Sequence, residues 1–442
     1  MSLRLRNKPL PRRTSERAVV PVARGRRWSG AALVTFPIVW VLLLGGCERR
    51  EIVRPTPQMG IETQFWVRVL LLSNATECTL KAPSTLRAGR HTLGSEMSMA
   101  QAVLSPHVPA GVTLAGGKFR FADTPMPGRE VIVSVEKPYI FTLDGRDYRG
   151  KLELVVNDDG RTFDAINLVP LEPYLSGVVG AEMPDYWEPE ALKAQAIAAR
   201  TYCLYVKNRF GINRRWDVSS TQASQVYRGV SAESTQIWNA VTGTYGMVLV
   251  SGAQSAPELG VFPAYYSSVC GGHTESSERV FGDTFTPLRG VPCPYCRDVT
   301  RLGLFFWPMA QFDRTTVTRR LVGKYPSLKA LGEITEIAVE DKSDYGEFSR
   351  LTRVRLVGST GKTETLRGED LRLTLDPSGR KLQSTICQIL PWGNGWAFLS
   401  GRGWGHGVGM CQHGAEAMAR LGKNAREILQ HYYPGSEIVN IY

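Results

Sequence analysis

Residues 171–207, LEPYLSGVVGAEMPDYWEPEALKAQAIAARTYCLYVK, constrain the fold of this chain more than any other stretch. They read as helix, break, helix. The first helix is expected from Leu171 to Met183. Pro173 is tolerated there because a first-turn residue has no intrahelical partner for the N–H that proline lacks. Pro184 stops it. The second is expected from Pro189 to Lys207, where Leu192, Ala196, Ala199, Cys203 and Val206 recur at helical spacing and form an apolar face. Small residues from Ala194 to Ala199 let a neighbouring element approach closely.

Glu182 falls at the break. A carboxylate on the last turn of a helix meets the partial negative charge of the helix end, and burial adds to the penalty on its charged form. Both effects raise its pKa toward the range a general acid needs. Taken alone, the residue also fits a solvated carboxylate in a turn. The run Glu182-Met-Pro, followed by Ala191-Leu-Lys-Ala-Gln-Ala-x-Ala-Ala-Arg-Thr-Tyr202, resembles the signature of the SpoIID/LytB family, the stage II sporulation protein D and amidase-enhancer proteins. The resemblance implies a lytic transglycosylase acting on peptidoglycan glycan strands, with Glu182 as its catalytic acid. It also implies roles near the cleft for Lys193 and Arg200. They stand seven apart on one helical stripe, and with Lys207 they equally fit a solvated face.

A second signature lies near the C-terminus, GHGVGMCQHGAEAMA, residues 405–419, within a glycine-dense run from Gly401. Glycine at this density permits positive φ and close backbone approach. The run is similar to the family's second motif. His413 departs from the aromatic residue expected there and receives no role. Two helices should follow, Ala415–Leu421 and one capped by Asn424 and stopped by Pro434. The resemblance covers roughly residues 148–442.

Charge argues against a nucleic-acid protein. The formal charge of the 442-residue chain is +12, but residues 1–46 hold nine Lys+Arg and one acidic residue, Glu16, leaving only +4 for the body. A basic segment ending in Arg26-Arg27 precedes an apolar run from Ala31 to Leu44, too short for a confident membrane span and suited to a signal-peptide core. Leu44-Gly45-Gly46-Cys47 resembles a bacterial lipobox, so Cys47 is expected to carry lipid, and the protein to be exported and membrane-anchored, facing the periplasm or cell wall. A signal-anchor helix with an incidental Cys is the alternative.

The expected organisation is a signal peptide with lipobox over 1–46, a tether over 47–62, a β-rich N-terminal region over 63–146 and a catalytic region over 147–442. The last includes a β-rich segment at about 332–392. Strands are expected at 64–72, 112–114, 118–121, 130–135 and 139–143. A hairpin of 148–156 with 162–168 turns at Asn157-Asp158-Asp159-Gly160. The fold class is α+β, a mixed body with central helices and β-rich flanks.

Cys270-x-x-His273 and Cys293-x-x-Cys296 form two hooks at zinc-knuckle spacing. A Cys₃His set fits a closed tetrahedron around a structural Zn²⁺, since a catalytic zinc keeps a position for water. An oxidising compartment favours a disulfide instead, such as Cys270 with Cys293 or Cys296. Cys293-Pro-Tyr-Cys296 also has the spacing of a redox motif, but no strand-to-helix context for one. Reported zinc sites in similar proteins add to the metal reading. Cys203 faces the core, and Cys78, Cys387 and Cys411 are candidates for free thiols.

The expected activity is cleavage of the bond between N-acetylmuramic acid and N-acetylglucosamine to leave a 1,6-anhydro end. Glu182 acts, and Gln225, Tyr266, Ser267 and His406 line the cleft with Lys193 and Arg200. Asp185 and Glu188 are the nearest candidates for the second carboxylate that ordinary inverting hydrolysis requires. The alternative is a non-catalytic amidase enhancer that grips glycan and activates a partner cell-wall hydrolase.

Overall fold

Strand Phe163–Pro170 runs without a loop into helix Leu171–Glu182. That junction fixes the catalytic candidate to a sheet. In the computed structural model, residues 65–89, 100–252 and 260–442 are described. The leader, Cys47 and the tether lie outside the described residues. The order of the seven-stranded sheet is Val218–Ser219, Trp66–Ala75, Phe163–Pro170, Lys151–Val156, Glu130–Val135, Leu86–Gly89, Ala100–Leu104. The antiparallel register Val67↔Val169 and Val69↔Asn167 ties the first described strand to the one that launches the helix.

A six-stranded sheet packs with it, in the order Arg146–Arg149, Ile140–Leu143, Glu77–Lys81, Ala110–Ala115, Lys118–Phe121, Thr124–Pro125. Alternation supplies the shared core: in Glu77–Lys81 only Cys78 and Leu80 turn inward, and in Lys118–Phe121 only Phe119 and Phe121. The expected hairpin strand from Tyr148 is divided. Arg146–Arg149 pairs with Ile140–Leu143, and Lys151–Val156 pairs with the strand before the helix. Gly150, at φ +100°, makes the break between the two sheets.

The long helix is Pro189–Phe210, three residues longer than expected, and it starts with proline at its first position. Its small-residue face is fully buried at Ala194, Ala196, Ala198 and Ala199. The helix packs on Leu171–Glu182, on Thr235–Thr242 and on two C-terminal helices, Gln412–Arg420 and Ala425–Tyr432. Asn424 caps the last with a full capping box to Glu427. A second apolar core gathers Trp307, Val317, Leu321, Ile334, Val354, Leu371 and Phe398 around the sheet of Ile334–Asp344, Ser349–Gly358 and Thr363–Arg367. Helices and several sheets together make the fold α+β. Among the described residues no helix is long and apolar enough to cross a membrane.

Candidate active site

Glu182 is the last residue of its helix, and Met183 and Pro184 turn the chain away. Its carboxylate is held from two sides. Oε1 accepts from the Val226 backbone N–H at 3.0 Å, and Oε2 accepts from Gln412 Nε2 at 3.3 Å. Burial pushes its pKa above the ordinary 4.5, while the Val226 and Gln412 hydrogen bonds and the Arg228 charge oppose the shift. A half-buried carboxyl that keeps its proton longer than usual and has both oxygens located is suited to general-acid chemistry.

The loop that supplies Val226 also carries Gln225, whose amide is used in full. Its Oε1 accepts from the Tyr174 hydroxyl at 3.1 Å. Its Nε2 donates to the Ala199 carbonyl at 3.1 Å and to the Tyr266 hydroxyl at 2.9 Å. Gln225 is therefore a buried strut, not the cleft residue expected from sequence. The Tyr266 oxygen accepts from it, so the hydrogen of that phenol is free for another partner. Tyr266 is close enough to Glu182 for the carboxylate charge to help raise its pKa, after burial.

Ser267 is buried beside it, with an Oγ that has no hydrogen-bond partner. Its strand pairs in parallel with Met410–Cys411, which places the C-terminal motif against the central helices. Gly409 permits that approach: at φ +71°, a Cβ there would overlap the Tyr265 carbonyl. His406 lies between the rings of Tyr265 and Phe281, and its Nδ1 accepts from the Val408 N–H at 3.0 Å. Burial lowers its pKa to about 4, so it is neutral at neutral pH.

Arg200 corrects the sequence reading. It is 0% exposed and makes a two-pronged pair with Glu172, Nε to Oε1 at 2.8 Å and Nη2 to Oε2 at 2.6 Å. It clamps the long helix to the first helix and is out of reach of a ligand. Lys193, seven residues earlier, remains at the surface and pairs with Glu190 at 2.7 Å. Asp185 and Glu188 are both exposed on the turn after Glu182.

The cysteine hooks close, with one change of partner. The thiols of Cys270, Cys293, Cys296 and Cys411 all lie within 4.8 Å of one another and are buried. A zinc tetrahedron with bonds of ~2.3 Å has sulfur–sulfur edges of about 3.8 Å, and Cys270 Sγ lies 3.8 Å from Cys296 Sγ. The Cys270 backbone N–H donates to Cys411 Sγ at 3.2 Å, and the Tyr432 hydroxyl lies 3.1 Å from Cys293 Sγ. This all-sulfur set can hold a metal, and the residues fit a closed Cys₄ site. His273 stands outside it. Gly271 and Gly272, at φ +81° and +119°, turn the chain after Cys270. The His273 ring then stacks on Tyr345 at 4.1 Å, and its Nδ1 donates to the Thr274 carbonyl at 2.6 Å.

Two residues at this site were missed from sequence. Cys411 has no nearby cysteine to form a recognisable hook. Gln412 was hidden because the helix was expected to begin at Ala415, whereas it begins at Gln412 itself. Their position inside GHGVGMCQHGA was the available signal.

A family profile described as Stage II sporulation protein matches residues 159–250, which include Glu182 and the whole of the long helix. Stage II sporulation protein D of Bacillus subtilis is 31% identical over 293 residues, covering 62% of this chain and 76% of that protein. This chain belongs to the SpoIID/LytB family. An uncharacterised protein of Brachyspira hyodysenteriae is 34% identical over 301 residues, 68% of this chain and 74% of its own length. The amidase enhancer of Bacillus subtilis is 28% identical over 331 residues, 68% of this chain but 45% of that protein.

Proposed function

We propose that this SpoIID/LytB member is a peptidoglycan lytic transglycosylase, exported and tethered to a membrane by lipid on Cys47. The observation that carries the reading is the Glu182 carboxyl, raised in pKa by burial and held between the Val226 N–H and Gln412. Protonated Glu182 gives its proton to the glycosidic oxygen between N-acetylmuramic acid and N-acetylglucosamine. The bond from C1 to that oxygen breaks, and the N-acetylglucosamine side leaves as an alcohol. The muramic acid C6 hydroxyl then attacks C1, and its proton passes to the Glu182 carboxylate. The acid is regenerated and a 1,6-anhydro end is left. No water and no second carboxylate enter, unlike inverting hydrolysis. The free Tyr266 hydrogen is available to a sugar oxygen or to the Glu182 carboxylate as charge develops.

Zn²⁺ fits the Cys₄ set as a structural ion, with Cys270, Cys293, Cys296 and Cys411 as ligands. The ion would brace the start of the helix that carries Gln412.

The amidase-enhancer relative supports a second reading, in which the chain binds glycan and activates a cell-wall amidase without cutting. Mass spectrometry of purified peptide-free glycan strands after incubation separates the readings. Anhydro ends are expected. Reducing ends would make the protein a hydrolase, and intact strands together with faster peptide release from whole peptidoglycan by an added amidase would make it an enhancer.

A further inference from the structure

Tyr186 is 76% exposed, more than any other aromatic side chain among the described residues. It sits on the turn that leaves Glu182, four positions away, so its Cα lies within ~14 Å of the acid's even if the chain were fully extended. The turn is shorter than that, because the Trp187 N–H closes back onto the Pro184 carbonyl at 3.2 Å.

An exposed tyrosine on a loose loop would mean little. This one is on a turn fixed at several points. Pro184 and Pro189 bracket it. The Trp187 ring packs edge-on against His413, with centroids 4.9 Å apart, and His413 Nδ1 donates to the Ser268 carbonyl at 3.0 Å. The Glu188 N–H donates to the buried Glu416 carboxylate at 2.9 Å. Glu416 lies one turn beyond Gln412 on the same helix, so the element that locates the acid also locates the turn. His413, without a role in the sequence reading, is one of the supports.

We infer that Tyr186 is a pre-formed stacking platform for an uncharged sugar ring of the glycan, the N-acetylglucosamine units, beside the cleavage point. The inference rests on the transglycosylase reading for its ligand class. A pyranose presents a C–H face that suits an aromatic face, with hydroxyls at the rim for polar neighbours, and tyrosine offers an apolar body with a polar tip. The turn narrows the ligand further. Residues 183–188, MPDYWE, contain the exposed carboxylates of Asp185 and Glu188 and no basic residue, and Glu190 beyond them is paired with Lys193. Such a surface repels anions, which disfavours the lactyl carboxylate of peptide-free muramic acid and favours the N-acetylglucosamine that alternates with it. A turn whose backbone is already fixed loses little conformational freedom on binding, which is where a pre-organised contact gains affinity.

The test measures binding of an N-acetylglucosamine hexamer and of peptide-free glycan strands, the latter in a Glu182→Gln background so that bound strands stay intact. Tyr186→Ala should weaken both by about tenfold, the scale of one aromatic contact. Tyr186→Phe should bind as the parent does, and thermal melts of both variants should be unchanged because the side chain is exposed. Parent-like binding by Tyr186→Ala overturns the platform and leaves the transglycosylase reading standing. Equal loss in Tyr186→Phe overturns stacking in favour of a hydroxyl contact. Strand binding without hexamer binding overturns the N-acetylglucosamine preference. A parent that binds neither probe overturns the glycan reading itself.

Discussion

Glu182 is desolvated by the fold and then partly compensated by two hydrogen bonds, and its behaviour follows from that balance. Glu182→Gln keeps size and hydrogen-bonding capacity but has no proton to transfer. Loss of general-acid catalysis should lower anhydro-muropeptide release by about 10²–10⁴-fold, measured by chromatography of digests, while glycan binding persists. Release at the parental rate would move the acid elsewhere. Stability should move the other way. With its pKa raised, the folded chain holds this proton more tightly than the unfolded chain. The carboxyl's contribution is fully present below the ordinary 4.5 and is lost as pH rises through the raised value. The glutamine variant has no such loss. Its melting temperature should gain on the wild type as pH rises from below 4.5 to neutrality, and parallel curves would contradict the shift. Gln412 is a positioning residue in this scheme. Gln412→Ala removes one of the hydrogen bonds that favours the carboxylate, so the pKa of Glu182 should rise further. The alkaline limb of the kcat/KM profile should then move to higher pH. Rate at the optimum should fall up to about tenfold, the scale of one hydrogen bond. An unmoved limb would reduce Gln412 to packing.

At the scale of elements, the central helices could be read from their prolines and apolar spacing, but the direction in which their charged residues point could not. Lys193 and Arg200 share a stripe, yet one is at the surface beside Glu190 and the other is sealed against Glu172. The difference comes from the chain that covers the second half of the stripe, including the Met247 and Val241 carbonyls that Arg200 also reaches at 2.9 and 3.4 Å. No helical periodicity contains that information. The Cys293-x-x-Cys296 hook was legible because its members are neighbours. Cys411 was not, since it lies 141 positions from Cys270. His273 was overcounted because spacing cannot register two positive-φ glycines turning the chain. The Arg200 pair yields its own test. Removing one partner of a buried ion pair leaves an uncompensated charge and costs about 3–5 kcal/mol. Arg200→Ala should lose that much in denaturant unfolding. Arg200→Lys should recover only part of it, since an ammonium cannot make the two-pronged contact. A fully stable Arg200→Ala with weakened glycan binding would return the residue to the substrate site.

At the scale of the molecule, the four thiols join three stretches of chain: the loop after strand Tyr266–Ser267, the segment of Cys293 and Cys296, and the start of helix Gln412–Arg420. That helix is also attached to the central break, by Gln412 to Glu182, by His413 to the Trp187 ring and by Glu416 to the Glu188 N–H. A metal in the thiol cluster would therefore bear on the acid through consecutive residues, Cys411 and Gln412, while belonging to the fold and not to the reaction. Because an ion that binds only the folded chain contributes its binding energy to folding, protein purified without added metal should carry one zinc per chain. A strong chelator should lower its melting temperature. The ligand set separates the sequence expectation from the geometry. Cys411→Ala should reduce bound zinc below one per chain and lower the melting temperature, whereas His273→Ala should keep full zinc content, since its ring serves Tyr345 and Thr274. Metal analysis with thiol titration after unfolding in chelator decides it. Four titratable thiols from the cluster together with one zinc is the expected result. A disulfide among them with no metal would end the zinc assignment, and zinc lost with His273 but retained without Cys411 would restore the Cys₃His set.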